Sequence, residues 1–302
     1  MAMYLGNKKV AVTNTIEKQV PSMKAFFDAG GKCSYSTATS FDGCWQFGDT
    51  SNVTNMSQMF QYCSSLTTVP LFDTANVTNM NYMFYYCPKL ITVPLFDTSK
   101  VTDMGYMFSS CSEITTVPRF NTSNVTDMSY MFSDCSSLTT VPQFETSKVT
   151  DMNSMFNYCS KLANVPQFDT SKVTNMASMF YYCTKLITVP LFDTANVKYM
   201  ASMFSNCSKI TVVPRFDTSK VTNMNYMFSN CNNLEAIHMI NINANLNISA
   251  STKFTREALL EIIGNLKAQT SGTKTLTMGS TNLAKLTDED KKIATDKGWT
   301  LA

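Results

Sequence analysis

A period of 24 residues governs most of this chain and restricts what it can fold into. Cysteines fall at positions 63, 87, 111, 135, 159, 183, 207 and 231, each 24 after the last. Prolines recur at 70, 94, 118, 142, 166, 190 and 214 in the same step. A Met-x-x-Met-Phe unit runs from Met56, Met59 and Phe60 to Met224, Met227 and Phe228. Eight copies therefore fill residues 48–239, the last one degenerate. Self-similarity at this spacing marks a repeat array whose units bury a core only by stacking on their neighbours. Residues 1–47 are then an N-terminal segment and cap, and residues 240–302 a C-terminal finish of longer coils.

One copy, Phe96 to Arg119, predicts the local structure. Met104, Met107, Phe108 and Cys111 stand at i, i+3, i+4 and i+7, the spacing of one helix face. Thr102 can cap the start of a short helix, with Asp103 beside its positive end. Ile114 to Val117 is β-branched and predicts a short strand, ended by Pro118, which has no N–H for a ladder. The expected architecture is an α/β repeat solenoid with short strands and short helices, capped at both ends.

Composition narrows function mainly by exclusion. A net charge of +2 with only 15% charged residues offers no basic stripe for nucleic acid. No apolar run approaches the roughly 20 residues that a membrane span needs. The start, Met1 to Lys9, lacks the apolar stretch and small-residue cleavage site of a secretory signal. This predicts either synthesis without a leader or a leader already trimmed. The cysteines lack the C-x₂-C clustering of metal sites, so small thiols filling a core slot are expected, with no metal or cofactor. His238 is the single histidine, so no Cys-His or Ser-His device can recur along the array, and a surface or capping role is expected for it. The acids are scattered over repeat turns rather than paired in a pocket, as glycoside hydrolysis would need. A non-enzymatic chain is expected. Asn-Val-Thr at 52–54, 76–78 and 124–126 matches a glycosylation sequon, but lysine replaces the asparagine in other copies, so these are expected to be turn and cap residues.

The string F-D-T-S-N/K-V-T-N/D-M-x-x-M-F-x-x-C-x-x-L-T-x-V-P closely resembles the BspA-like leucine-rich repeat, including the variant first noted in mycoplasma lipoproteins. The resemblance covers residues 48–239. It implies a right-handed horseshoe or solenoid and, as for many members, adhesion at a bacterial surface; it brings no catalytic residues.

The ends differ from the repeat. Residues 13–29 are expected to form amphipathic turns, with Met23, Phe26 and Phe27 plugging the first coil and Gly30-Gly31 ending them. Cys33 and Cys44 lie outside the register and could pair in an oxidising setting. Beyond residue 239, Leu234, Ile237, Met239 and Ile242 still fit a leucine-rich strand. Thr255 is expected to cap a helix with Leu259, Leu260, Ile263 and Leu266 inward. Thr273–Met278 reads as a strand, and Thr287 with Asp290 as a capping-box start. Gly298 stops that helix before Trp299. This C-terminal stretch resembles endings of repeat proteins from gut bacteria and their phages, and the opening Y-L-G-N-K-K-V resembles the start of some phage tail-associated proteins. Together these predict a virion component, tail-associated and meeting the host surface, with other virion proteins, a host surface protein or glycan, or further copies of itself as partners. The alternative is a BspA-like bacterial cell-surface adhesin.

Candidate contact residues follow from slots that face away from the core. Tyr82, Tyr106 and Tyr130 share one slot in three consecutive copies, with Tyr85 and Tyr181 close by; they predict an aromatic strip on the convex side. The alternative is a ladder of rings that only shields itself. Thr68, Thr116, Thr140 and Thr188 form a second series, expected on the concave side. The slot after proline varies, with Arg119 and Arg215 as its charged cases.

Overall fold

The computed structural model describes residues 50–302 and, as backbone, an antiparallel strand pair, β1 (Ala2–Leu5) with β2 (Lys8–Ala11). The expectations for residues 13–29 and for Cys33 and Cys44 lie outside the described residues. The chain forms two compact units, residues 1–148 and 149–302.

In the first unit each repeat is one coil stacked on the next. In the copy from Phe96, Asp97 Oδ1 accepts from Ser99 N and Val101 N donates to Thr98 O, which turns the chain inward. Asp103 then bridges Asn79 on one side and Asp127 on the other. From here alternate amides look outward: Met104, Tyr106, Phe108 and Ser110 donate to Asp127, Ser129, Met131 and Ser133 of the following coil. The intervening Met107, Ser109 and Cys111 donate to the carbonyls three residues back.

This arrangement replaces the short helix expected at Met104–Cys111. An α-helix uses every amide for a carbonyl four residues back, whereas half of these amides serve the neighbouring coil. Tyr106 (φ 58°) and Ser110 (φ 63°) also have left-handed backbone, which a right-handed helix cannot hold. Overlapping four-residue turns happen to bring Met104, Met107, Phe108 and Cys111 inward at the same spacing as a helix face, and all four are fully buried. Thr102 caps nothing; its hydroxyl donates to Thr78 O, and Asp103 Oδ1 accepts from Gly105 N instead. The strand expected at Ile114–Val117 is likewise extended chain without a ladder. One bond per coil serves this side, as from Thr139 N to Thr115 O, and the following proline cannot add another.

Stacking aligns identical side chains. Phe60, Phe84, Phe108 and Phe132 lie 5.3–5.7 Å apart, nearly parallel. Each repeat thiol is buried and unoxidised, and in Cys87, Cys111, Cys135, Cys183, Cys207 and Cys231 the Sγ–H donates to a phenylalanine carbonyl of the previous coil, as from Cys111 to Phe84 O at 3.2 Å. A buried threonine stands in every copy from Thr50 to Thr218. In most copies its hydroxyl ties coils together, Thr98 donating to Asn121 O and Thr122 to Glu145 O at 2.8 Å each, whereas Thr74 Oγ1 is buried without a partner among the described residues.

The second unit begins with the same coils: Phe156, Phe180, Phe204 and Phe228 stack at 5.7–6.0 Å. Regular elements enter near its end. β3 (Val212–Val213) pairs in parallel with β4 (Ala236–Ile237) in the slot where strands were expected. β5 (Leu246–Asn247), β6 (Lys274–Thr277) and β7 (Trp299–Leu301) form a parallel sheet in that order. Helix α1 (Arg256–Gly264) joins the first two strands, and α2 (Ser280–Leu283) and α3 (Asp288–Asp296) the second two.

Thr255 caps α1 by accepting from Ala258 N, and Thr287 with Asp290 completes a capping box on α3. Leu259 and Ile263 of α1, and Leu266 just beyond it, face inward as expected; Ile262 joins them, while Leu260 is only half-buried. Arg256 grips Asp290 through two bonds of 2.7 and 2.8 Å, which hold that carboxyl below the ordinary aspartate range. Gly298 turns the chain into β7 at φ 78°, with room for no Cβ beyond 3.1 Å from Gln269. The repeat solenoid is thus as the period predicts, and within residues 50–302 its regular strands and helices lie toward the C-terminal end.

Candidate binding surface

The buried columns cannot support thiol chemistry. Burial raises the Cys111, Cys183 and Cys231 thiols, the last to about 12, so the reactive thiolate is suppressed. Among the described residues no group of three or more His, Cys, Asp or Glu side chains could hold a metal ion. Again among those residues, no helix is long and apolar enough to cross a membrane. Interest therefore moves to the outward slots.

Tyr82, Tyr106 and Tyr130 do form one ladder, with ring centroids 4.4 Å apart and planes within 7° of parallel. Each ring covers its neighbour's face and all three are only half-exposed. Burial first, then the adjoining rings, push the Tyr106 phenol up. This matches the self-shielding alternative for these three.

Several rings are openly presented: the slot just before each cysteine holds Tyr62 and Tyr86 in the first unit at 53% and 50% exposed and Tyr158 and Tyr182 in the second at 40% and 41%, and outside that slot Tyr199 and Tyr226 stand at 49% and 71%. Tyr85 and Tyr181, half-buried, support them edge-on. Sequence reasoning singled out the supporting rings and missed the exposed ones. The available signal was the Tyr-Cys pair at 62–63, 86–87, 158–159 and 182–183, because a residue next to an inward cysteine faces outward.

The extended side of the coils forms a second surface. Thr116, Thr140 and Thr188 are exposed there and Thr68 half-buried. The structure places them in repeating slots without bringing them to a common pocket. Arg119 lies along its own face, its Nε donating to Gln143 O at 3.1 Å and a terminal nitrogen 3.6 Å from Glu145. Arg215 borders an open groove in the second unit with Leu191, Val212, Pro214 and Ile240. There His238 Nδ1 lies 2.8 Å from Glu261 Oε1 of α1, joining the last repeat to the C-terminal coils.

Two of the three sequon asparagines are bonded to the preceding coil. Asn76 Nδ2 donates to Ser51 O and Asn124 Nδ2 to Ser99 O, both at 2.7 Å. Lysines in the same slot reach back to the preceding asparagine, as Lys100 does to Asn76 Oδ1 at 2.6 Å.

The leucine-rich repeat protein of T. pallidum is similar at 22% identity with a TM-score of 0.42, over 55% of this chain and 76% of that one. A leucine-rich cell surface protein of Faecalibacterium prausnitzii is similar at 16% identity and a TM-score of 0.34, over 82% and 76%. An internalin of Listeria monocytogenes gives 12% and 0.32, over 79% and 67%. No curated protein matches the sequence. A family profile does match, in overlapping segments at residues 8–92, 69–165, 90–189 and 161–258. Its description names no enzymatic activity, and with most of its length matched the chain belongs to the family described as Mycoplasma protein of unknown function, DUF285.

Proposed function

We propose that this chain is a non-enzymatic recognition module that presents its exposed tyrosines to a cell surface, carried on the tail of a phage or prophage. The observation that carries the recognition half is Tyr62, Tyr86, Tyr158 and Tyr182, large apolar rings kept in water on left-handed backbone. The coil does not require tyrosine there, since Ser110, Asp134, Asn206 and Asn230 fill the same slot with φ of 59–64°. Aromatic rings with a polar tip concentrate at contact surfaces because they bury much area with little loss of rotamer freedom. The virion half rests on the likeness of the opening Y-L-G-N-K-K-V to some phage tail-associated proteins and of the C-terminal stretch to repeat proteins of gut bacteria and their phages.

A bacterial surface adhesin is the second reading, favoured by the BspA-like repeat. An antibody to this chain separates the two: labelling of purified particles supports the virion, and labelling of intact bacteria with none on particles supports the adhesin. Recognition itself is tested by binding of the purified chain to intact cells of the producing bacterium and its neighbours. Loss of binding is expected when Tyr62, Tyr86, Tyr158 and Tyr182 are all replaced by asparagine, and undiminished binding would contradict the reading.

A further inference from the structure

The tyrosines of the slot before cysteine come as a duplicated cluster. The segment Tyr85–Thr98 recurs as Tyr181–Thr194, four coils later, with one change, Pro88 to Thr184. Each segment joins a tyrosine of the preceding coil. Tyr62 meets Tyr85 at 5.5 Å and 82°, and Tyr158 meets Tyr181 at 5.3 Å and 65°. The outer pairs, Tyr62–Tyr86 and Tyr158–Tyr182, lie at 5.8 and 4.9 Å. The inner pairs, Tyr85–Tyr86 and Tyr181–Tyr182, lie at 6.5 and 6.1 Å.

We propose that these clusters are two related sites, one in each unit, for a neutral glycan; the first is flanked by Tyr82 and Tyr106, where the second has Ser178 and Ser202. This deepens the recognition reading above and rests on it. The occupancy of the slot before the cysteine argues that the rings are kept for contact, because the coils between and beyond the clusters fill it with serine, aspartate or asparagine. Tyrosine reappears in this slot only in the two pairs, among the eight copies.

What the clusters share sets the ligand chemistry. Each offers half-open phenol rings for the apolar C–H face of a pyranose and hydroxyl tips for its hydroxyls. A charge is not shared: Asp134 acts on Tyr85 in the first cluster, and Asn230 takes the corresponding place four coils on. A charged ligand would not see two equal sites. A quaternary ammonium fits less well, because rings at these separations touch one another and leave no cage between them.

Calorimetric titration of the full chain tests this, using maltohexaose, cellohexaose, chitohexaose and mannohexaose, with a sialylated and a sulfated oligosaccharide as controls. At least one neutral hexasaccharide is expected to bind twice per chain, and the charged controls not at all. Replacing Tyr62 and Tyr86 by asparagine should leave one site, replacing Tyr158 and Tyr182 should leave the other, and the fourfold variant none. Asparagine is the residue sister coils already use, so thermal unfolding of each variant checks that the fold is retained. One site per chain, variants that bind as the parent does, or no neutral glycan bound would each overturn the proposal. If tyrosine-dependent cell binding survives periodate treatment of the cells and is lost on protease treatment, recognition stands and the glycan assignment falls.

Discussion

Residues 150–239 and residues 240–302 belong to one unit and close their coils in opposite ways. In the first stretch, amides such as Met176, Ser178, Phe180 and Tyr182 donate forward to Tyr199, Ala201, Met203 and Ser205. In the second, the two nine-residue helices satisfy their own amides, each started by a threonine cap, and the short strands with a few other amides, such as Gln269 to Lys297 O, look to neighbours. A repeat coil therefore has little local structure of its own, whereas the C-terminal coils contain segments that are stabilised locally. Isolated helices as short as two turns are marginal in water, so a slot with room for only seven or eight residues is better served by inter-coil bonds.

That contrast is open to attack, most strongly through pH. Burial raises the Cys183, Cys207 and Cys231 thiols in this unit. Such groups stabilise fully below the unfolded thiol pKa of roughly 8.5, and the contribution is lost as pH rises toward the folded values, for Cys231 about 12. Each thiol contributes about 1.4 kcal/mol per pH unit across that window. Urea midpoints should therefore fall steeply between about pH 9 and 11. Amide protection should go first in residues 150–239, because residues 240–302 contain no cysteine. A flat profile, or first loss in the C-terminal coils, would break the comparison.

Phe204→Ala is expected next in size. The ring is fully buried between Phe180 and Phe228, and truncation should cost about 3–5 kcal/mol in chemical denaturation. Hydrogen exchange should rise in the flanking coils as well, since their amides share carbonyls with this one. By contrast Thr287→Ala removes one cap and should cost about 1 kcal/mol, with exchange rising mainly in the first turn of α3. Smallest is Lys100→Asn in the first unit, which exchanges one inter-coil donor for the kind Asn124 already provides. A midpoint shift beyond about 0.5 kcal/mol would show that this slot is not interchangeable.

The period made the architecture legible before any coordinates, because equal spacing of Cys63 to Cys231 and Met56 to Met224 requires equal surroundings. The caps at Thr255 and Thr287 were legible for a different reason: a side chain three residues from its amide partner is a local rule. What remained hidden was the path between Met104 and Cys111. Apolar spacing of three and four residues fits a helix face and a series of tight turns alike, and only the neighbour's carbonyls decide between them. The buried threonine column from Thr50 to Thr218 was visible as repetition, but its partners lie 22 or 23 residues away and no local rule reveals them. The candidate surface was half legible. Tyr85 and Tyr181 lie beside the rings now proposed for contact, while the exposed Tyr62, Tyr86, Tyr158 and Tyr182 required knowing which side of each cysteine faces water.

Alkylation of the native chain with iodoacetamide at neutral pH, followed by peptide mass spectrometry, tests the sealed interior most directly. The eight repeat thiols from Cys63 to Cys231 should stay unmodified until guanidinium unfolds the chain, and then all react. Rapid modification of several of those eight in the native chain would contradict a core built by coils covering one another.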